Sequence, residues 1–441
     1  MLTAATSKEL LVSGSHLLIN DRQKDVIKNG GVVISGDAIC AVGTRTELRK
    51  NYPSADQLHE PHGLVMPGLV NTHSHAAMRC FRGLVEDLPP TTAQHKHIFP
   101  LETEIDRKTV YHSTLLCIAE MIKSGTTSFC DRSLCGEEVA RAAAKSGIRG
   151  WVGEALYDSP SASYGQLEDV FSSIEEQILN YQSHPLVTIT VNPHSICLCS
   201  PALLKRSKII AEENNTLFVI QLSQTRGEVK ECLQGYHKTP VQHLESLGLL
   251  NEKTLAVHCL HLEPEDIELL AERGVKISHC QESNMKPASG SVPVAELLSQ
   301  GVNVSIGIDG YAANNVDMFL QMNCLAKAQK AAAMDPTVMD AETTLRLATQ
   351  GGASALGAAD RLGTLAIGKK ADLIVLDLNQ PHLTPLYNVP SHLVYTARGA
   401  DVIHSIINGR IVMRDRQLLT LNESDIIAGM TEISERILMA S

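Results

Sequence analysis

Histidines are the residues best placed to do chemistry in this 441-residue chain: there are 18, against an aromatic content of only 4%. Their placement tells more than their number. His73 and His75, in GLVNTHSH, stand two apart on a strand candidate, so both rings project to one face and can grip a single ion. An H-x-H pair alone is a weak signal. Asp309 in NVSIGIDG ends a second apolar strand candidate, and its carboxylate can both bind metal and accept a proton from metal-bound water. A metal lowers the pKa of that water to about 7, which supplies hydroxide at neutral pH. Asp131, His194, Gln221 with Gln224, His258 with His261, and His279 end further strand candidates. In a barrel, catalytic side chains sit at the C-terminal strand ends, so these residues are expected at one mouth.

The elements that must position them are strands at 68–75, 126–132, 148–156, 187–195, 217–223, 254–262, 275–283 and 303–310. Amphipathic stretches such as TVYHSTLLCIAEMIKSG and EPEDIELLAERG separate them, several with Gly just past the end, where a helix C-cap wants it. Eight βα units imply an α/β protein built on a (β/α)8 TIM-type barrel, assigned here to residues 66–359. The two ends read differently. Residues 8–60 carry short apolar runs around Gly36-Asp37, and ADLIVLDL (371–378) is followed by runs around Asn408-Gly409, both hairpin signals. Neither end has enough strands for a core, so residues 1–65 and 360–441 are expected to pair into one small sheet domain.

Composition narrows the partners. The formal net charge is −11 and no Lys/Arg block occurs, which argues against nucleic acid, since phosphate binding needs clustered positive charge. Few aromatics likewise disfavour a stacking-based single-strand binder. No apolar run approaches the roughly 20 residues that span a bilayer, and MLTAATSKELLVSG lacks the basic-then-apolar build of a signal peptide. A cytoplasmic protein acting on a small molecule is expected. Eleven cysteines without a C-x-x-C pair read as reduced thiols. Cys197 and Cys199 in SICLCS, read as part of a strand, come closest to a pair, and a structural or incidental role is expected for them.

PGLVNTHSHAAMRCFRGLVEDL, HCLHLEPEDIELLAERGVKISHCQESNMKPASG, NVSIGIDG and GTLAIGKKADLIVLDL together resemble the amidohydrolase superfamily, nearest to its 5′-methylthioadenosine/S-adenosylhomocysteine deaminases and related chlorohydrolases. The resemblance runs almost end to end. It implies a metal-dependent barrel with a β-sandwich from both termini, one divalent metal (zinc or iron), and commonly a homodimer. It makes His73, His75 and Asp309 metal ligands and puts His258 beside the metal, where it steadies the nucleophile or intermediate. Glu102 matches a glutamate that holds ribose hydroxyls, His194 a substrate-contacting histidine, and His279 a position at the end of strand seven, where packing and contact with substrate are both open. Ala93 falls where the family places a substrate-covering tryptophan, with His95 and His97 in the same loop.

Strand five departs from the pattern. The family motif there is H-x-x-E, a metal ligand and the acid that protonates a ring nitrogen; this chain has Gln221 and Gln224. The amide oxygen of Gln221 is a poorer zinc ligand than imidazole. Gln224 can hold a ring nitrogen by hydrogen bonding but cannot deliver a proton, and losing such help costs typically about 100- to 10,000-fold. The expected activity is hydrolytic deamination of a purine nucleoside-like or other N-heterocyclic substrate. The alternatives are release of chloride, thiolate or alkylamine from such a ring, or a nucleoside-binding protein without turnover.

Overall fold

The first barrel strand, Leu69–Ser74, is buried at every position, as a strand covered on both faces must be. Thr126–Ser133 and Arg149–Leu156 follow beside it in parallel, and the fourth strand comes in two pieces, Val187–Ile189 and Asn192–Pro193. Phe218–Leu222, Thr254–His258, Lys276–His279 and Asn303–Ile306 form the second parallel run. Two seams join the runs. Val191 bridges Phe218, with Gln221 N–H donating to the His194 carbonyl at 3.0 Å. Across the other seam, Ile308 N–H donates to the His73 carbonyl at 2.8 Å. Inside the barrel, the Thr72 hydroxyl lies 2.7 Å from that of Ser278, 2.8 Å from that of Ser305, and donates to the Ile306 carbonyl at 3.0 Å. The eight strand candidates thus close into the expected (β/α)8 barrel.

This computed structural model describes residues 8–21, 26–88, 92, 94–102, 105–159, 161, 163–310 and 314–440. Among them, no helix is long and apolar enough to cross a membrane.

Both chain ends enter one nine-stranded sheet. Leu10–Leu18 runs parallel to Asp56–Pro67, which in turn pairs antiparallel with Leu373–Asp377. Leu64, Met66, Ile374 and Leu376 turn toward the barrel core, whereas Val65, Leu373 and Val375 turn to a second apolar layer. That period of two explains why LIVL reads as an unbroken apolar run: both faces are covered. The two expected hairpins form, pairing Ser35 with Ala38 and Ile407 with Arg410. They also touch. A Cβ on Gly409, which sits at φ +77°, would lie 2.0 Å from the Gly36 carbonyl oxygen, so only glycine fits there.

Arg149, at the start of the third barrel strand, ties this sheet to the barrel. Its Nε and Nη2 donate to Asp372 at 2.8 and 3.0 Å, and both side chains are buried. Asp372 also accepts Asn408 N–H at 2.7 Å. The bidentate pair is the strong form of such a contact.

Two expectations need correction. The far end is not wholly β: Glu423–Ala440 is a helix packed on the barrel helix Arg107–Lys123, with Met430, Ile433 and Ile437 in an apolar cluster with Phe81, Val85, Ile98 and Leu101. Ile426, Met430, Ile433 and Ile437 recur at helical spacing, and burying that stripe decides the conformation. Cys197 and Cys199 lie in a turn rather than on a strand, one exposed and the other buried with its thiol toward the Leu156 carbonyl. All eleven thiols are free.

Candidate active site

The ends of the first and eighth strands bring His73, His75 and Asp309 together, with one ligand atom of each within 4.8 Å of the others. Asp309 Oδ1 lies 3.4 Å from His73 Nε2 and 3.0 Å from His75 Nε2. Close approach of the strands requires a glycine: a Cβ on Gly307 would meet the Ser278 hydroxyl at 2.5 Å and His73 Cβ at 2.8 Å. Asp131 is not part of the cluster. It accepts the Ser74 hydroxyl and Ala76 N–H, each at 2.7 Å, and the Ser133 hydroxyl at 2.6 Å, so it locks the turn that carries His75.

His258 ends strand six at φ +75°, a strained backbone for a residue with a side chain. Its Nδ1 is 3.0 Å from Asn284 Oδ1, an acceptor, which places the ring proton there and leaves the Nε2 lone pair 3.8 Å from Asp309 Oδ2. Burial lowers the pKa of both His73 and His258 to about 4, so the rings are neutral, the form that binds metal. Burial opposes ionisation of Asp309, but the imidazoles of His73 and His75 hold its carboxyl well below the usual range.

These residues fit a divalent cation. Both nitrogens of His73 and Nε2 of His258 are buried with no hydrogen-bond partner among the described residues, a costly state that an ion beside Asp309 would relieve.

Strand five is built as carefully as the others. Gln221 is 5% exposed, and the turn after it is held by Glu228, which accepts Ser223 N–H at 3.0 Å and Gln224 N–H at 2.7 Å. Thr225 caps the helix Arg226–Tyr236 that carries Glu228. Burial raises the Glu228 carboxyl to about 7. Gln221, Gln224, Glu102, His194, His75 and Asp309 all line one cleft of about 1420 Å³, counted out to its open mouth. Glu102 is half-buried, and burial lifts its pKa to about 7. The His194 ring lies 5.1 Å from that of Tyr157.

Of the two roles open to His279, packing and contact with substrate, its surroundings are those of packing. It is fully buried, its Nε2 lies 2.9 Å from Gln281 Oε1, and it is not among the residues lining the cleft. Gln281, two residues on, takes up the ring. Ala93 and the side chain of His95 lie outside the described residues, while His97 is exposed.

Arg132, which the reading of the sequence passed over, also belongs here. It is next to last on strand two, 3% exposed, and lines the cleft. Its Nη1 donates to the His194 carbonyl at 3.2 Å, and its Nη2 lies 3.2 Å from His75 Nε2. Its position one residue past Asp131 at a strand's C-terminal end was the available signal.

A parallel barrel with an H-x-H pair and an eighth-strand aspartate converging at one mouth is the frame of a metal-dependent hydrolase. A model of the amidohydrolase family matches residues 64–412, and the chain belongs to that family. It is 47% identical to a 5-methylthioadenosine/S-adenosylhomocysteine deaminase of Syntrophobacter fumaroxidans, over 97% of this chain and 98% of that one. A 5'-deoxyadenosine deaminase of Methanosarcina mazei is 37% identical over 97% and 98%. The solved structure of an adenosine deaminase from Xanthomonas campestris with bound zinc superposes with a TM-score of 0.96 at 33% identity, covering 98% of this chain and 99% of that one. An atrazine chlorohydrolase from Arthrobacter aurescens, at 20% identity and a TM-score of 0.86 over 96% and 100%, shares the fold.

Proposed function

We propose that this protein hydrolytically deaminates the purine ring of an adenosine-type nucleoside modified at its 5′ position. The observation that carries the reading is the convergence of His73, His75, Asp309 and His258 at the cleft that Glu102 and His194 also enter. The names of the relatives support the substrate class. Bound at His73, His75 and Asp309, a divalent cation would polarise the attacking water, and zinc, present in the Xanthomonas campestris structure, is the metal proposed. Asp309, held as a carboxylate, takes the proton of that water. His258 presents its Nε2 lone pair to the same space and steadies the reacting centre. Glu102 receives the ribose hydroxyls, His194 contacts the purine, and Gln224 orients a ring nitrogen through its amide. Gln221 offers an amide oxygen toward the metal. A homodimer in the cytoplasm completes the reading, on the family resemblance alone.

The test is ammonia release from 5′-methylthioadenosine, S-adenosylhomocysteine, 5′-deoxyadenosine and adenosine, with the purified protein loaded with zinc. Release from at least one is expected; none from any would overturn the proposal. One observation favours a second reading: Gln224 cannot donate a proton to the ring, so a leaving group that departs without acid help, such as chloride or thiolate at the same carbon, suits this cleft. The corresponding 6-chloropurine nucleoside turning over while the amine does not would decide for it.

A further inference from the structure

One group stands against the metal that the other residues favour. A guanidinium only donates hydrogen bonds, so with the ring proton of His75 on Nδ1 the contact of Arg132 Nη2 with His75 Nε2 at 3.2 Å uses the lone pair of that nitrogen. The same nitrogen belongs to the ligand cluster and lies 3.0 Å from Asp309. One lone pair cannot serve an N–H and a metal ion together. The guanidinium is also short of partners. Its Nε is buried with no hydrogen-bond partner, and it has no carboxylate within ion-pair distance among the described residues. Glu102 is near enough for the guanidinium to pull its pKa back down against burial. A buried cation so placed gains from any lone pair it can reach. On the metal's side, Gln221 offers only a neutral amide in place of an imidazole.

We propose that Arg132 is a built-in competitor for the metal: its guanidinium and the ion occupy Nε2 of His75 in turn, so the site holds its metal weakly and exchangeably. This rests on the metal-centre reading above. When the ion binds, the guanidinium leaves Nε2, because two cations cannot share it; when the ion leaves, Arg132 returns and keeps the buried imidazole satisfied.

The experiment measures zinc affinity by competition with a chromogenic chelator for the parent protein, Arg132→Met and Arg132→Gln, with circular dichroism to check that each is folded. Both variants are expected to bind at least about tenfold more tightly. Equal or weaker affinity in the variants overturns the competition. Should neither variant fold, a zinc-soaked crystal of the parent decides: the guanidinium is expected beyond hydrogen-bond distance of His75 Nε2, and its retention there beside bound zinc overturns the proposal. Absence of zinc binding in parent and variants alike overturns the metal-centre reading itself, and this inference with it, a result distinct from equal affinities.

Discussion

The two sides of the cleft differ in their functional groups and agree in their architecture. On the side of strands one, six and eight, imidazoles and a carboxylate meet, with buried ring nitrogens that lack a hydrogen-bond partner among the described residues. On the side of strand five the backbone is as firmly held, with Glu228 gripping two successive N–H groups, yet the side chains presented are the amides Gln221 and Gln224. Strand five thus presents different chemistry from strands one, six and eight on an equally firm frame. A decayed site would be expected to lose the frame as well, because nothing would then maintain a buried carboxylate such as Glu228.

That contrast can be broken from either side. The largest effect is expected from Asp309→Asn, which removes a metal ligand and the base together: kcat should fall about 10,000-fold, with metal content after gel filtration falling in parallel. From the other side, Gln221→His with Gln224→Glu should raise deamination by about 100- to 1,000-fold, read as ammonia release at saturating zinc. No gain would mean that strand five is tuned to a different leaving group. Arg149→Ala probes the frame alone. Stranding Asp372 should cost about 3–5 kcal/mol in urea unfolding, while kcat at temperatures where the protein remains folded stays near that of the parent. The smallest effect concerns Glu102, whose carboxyl burial lifts to about 7. Because the carboxylate form accepts both ribose hydroxyls, kcat/KM should fall as pH drops through 7, to about a tenth at pH 6, chiefly through KM. Glu102→Gln should flatten that profile.

Much of this was legible in the amino-acid order, for reasons that are local. The strands declared themselves by β-branched apolar runs, and His73, His75, His258 and Asp309 by ending them, since the C-terminal ends of parallel strands share one mouth. The Gly36-Asp37 and Asn408-Gly409 turns followed from the positive φ that such hairpins require. What escaped depended on distant partners. Arg132 closes the strand candidate at 126–132, yet its role shows only once strand two delivers it beside His75. His279 has the sequence position of a substrate contact, but Gln281, two residues on, captures its ring. Glu228 reads as a first-turn helix acid, and its grip on the strand-five turn exists only once that helix folds back. The helix at 423–440 was hidden by its β-rich surroundings, although its apolar spacing is helical.

That last helix ties substrate shape to a remote stretch of the gene. Val85 and Ile98 line the cleft, and they pack in one apolar cluster with Met430, Ile433 and Ile437. Positions more than 300 residues apart are thus coupled by packing, since a change of volume at 430 or 433 presses on the wall of the cleft. Surveys of natural variants that look for specificity only around strands one to eight would overlook positions where preference can drift without any residue of the mouth changing.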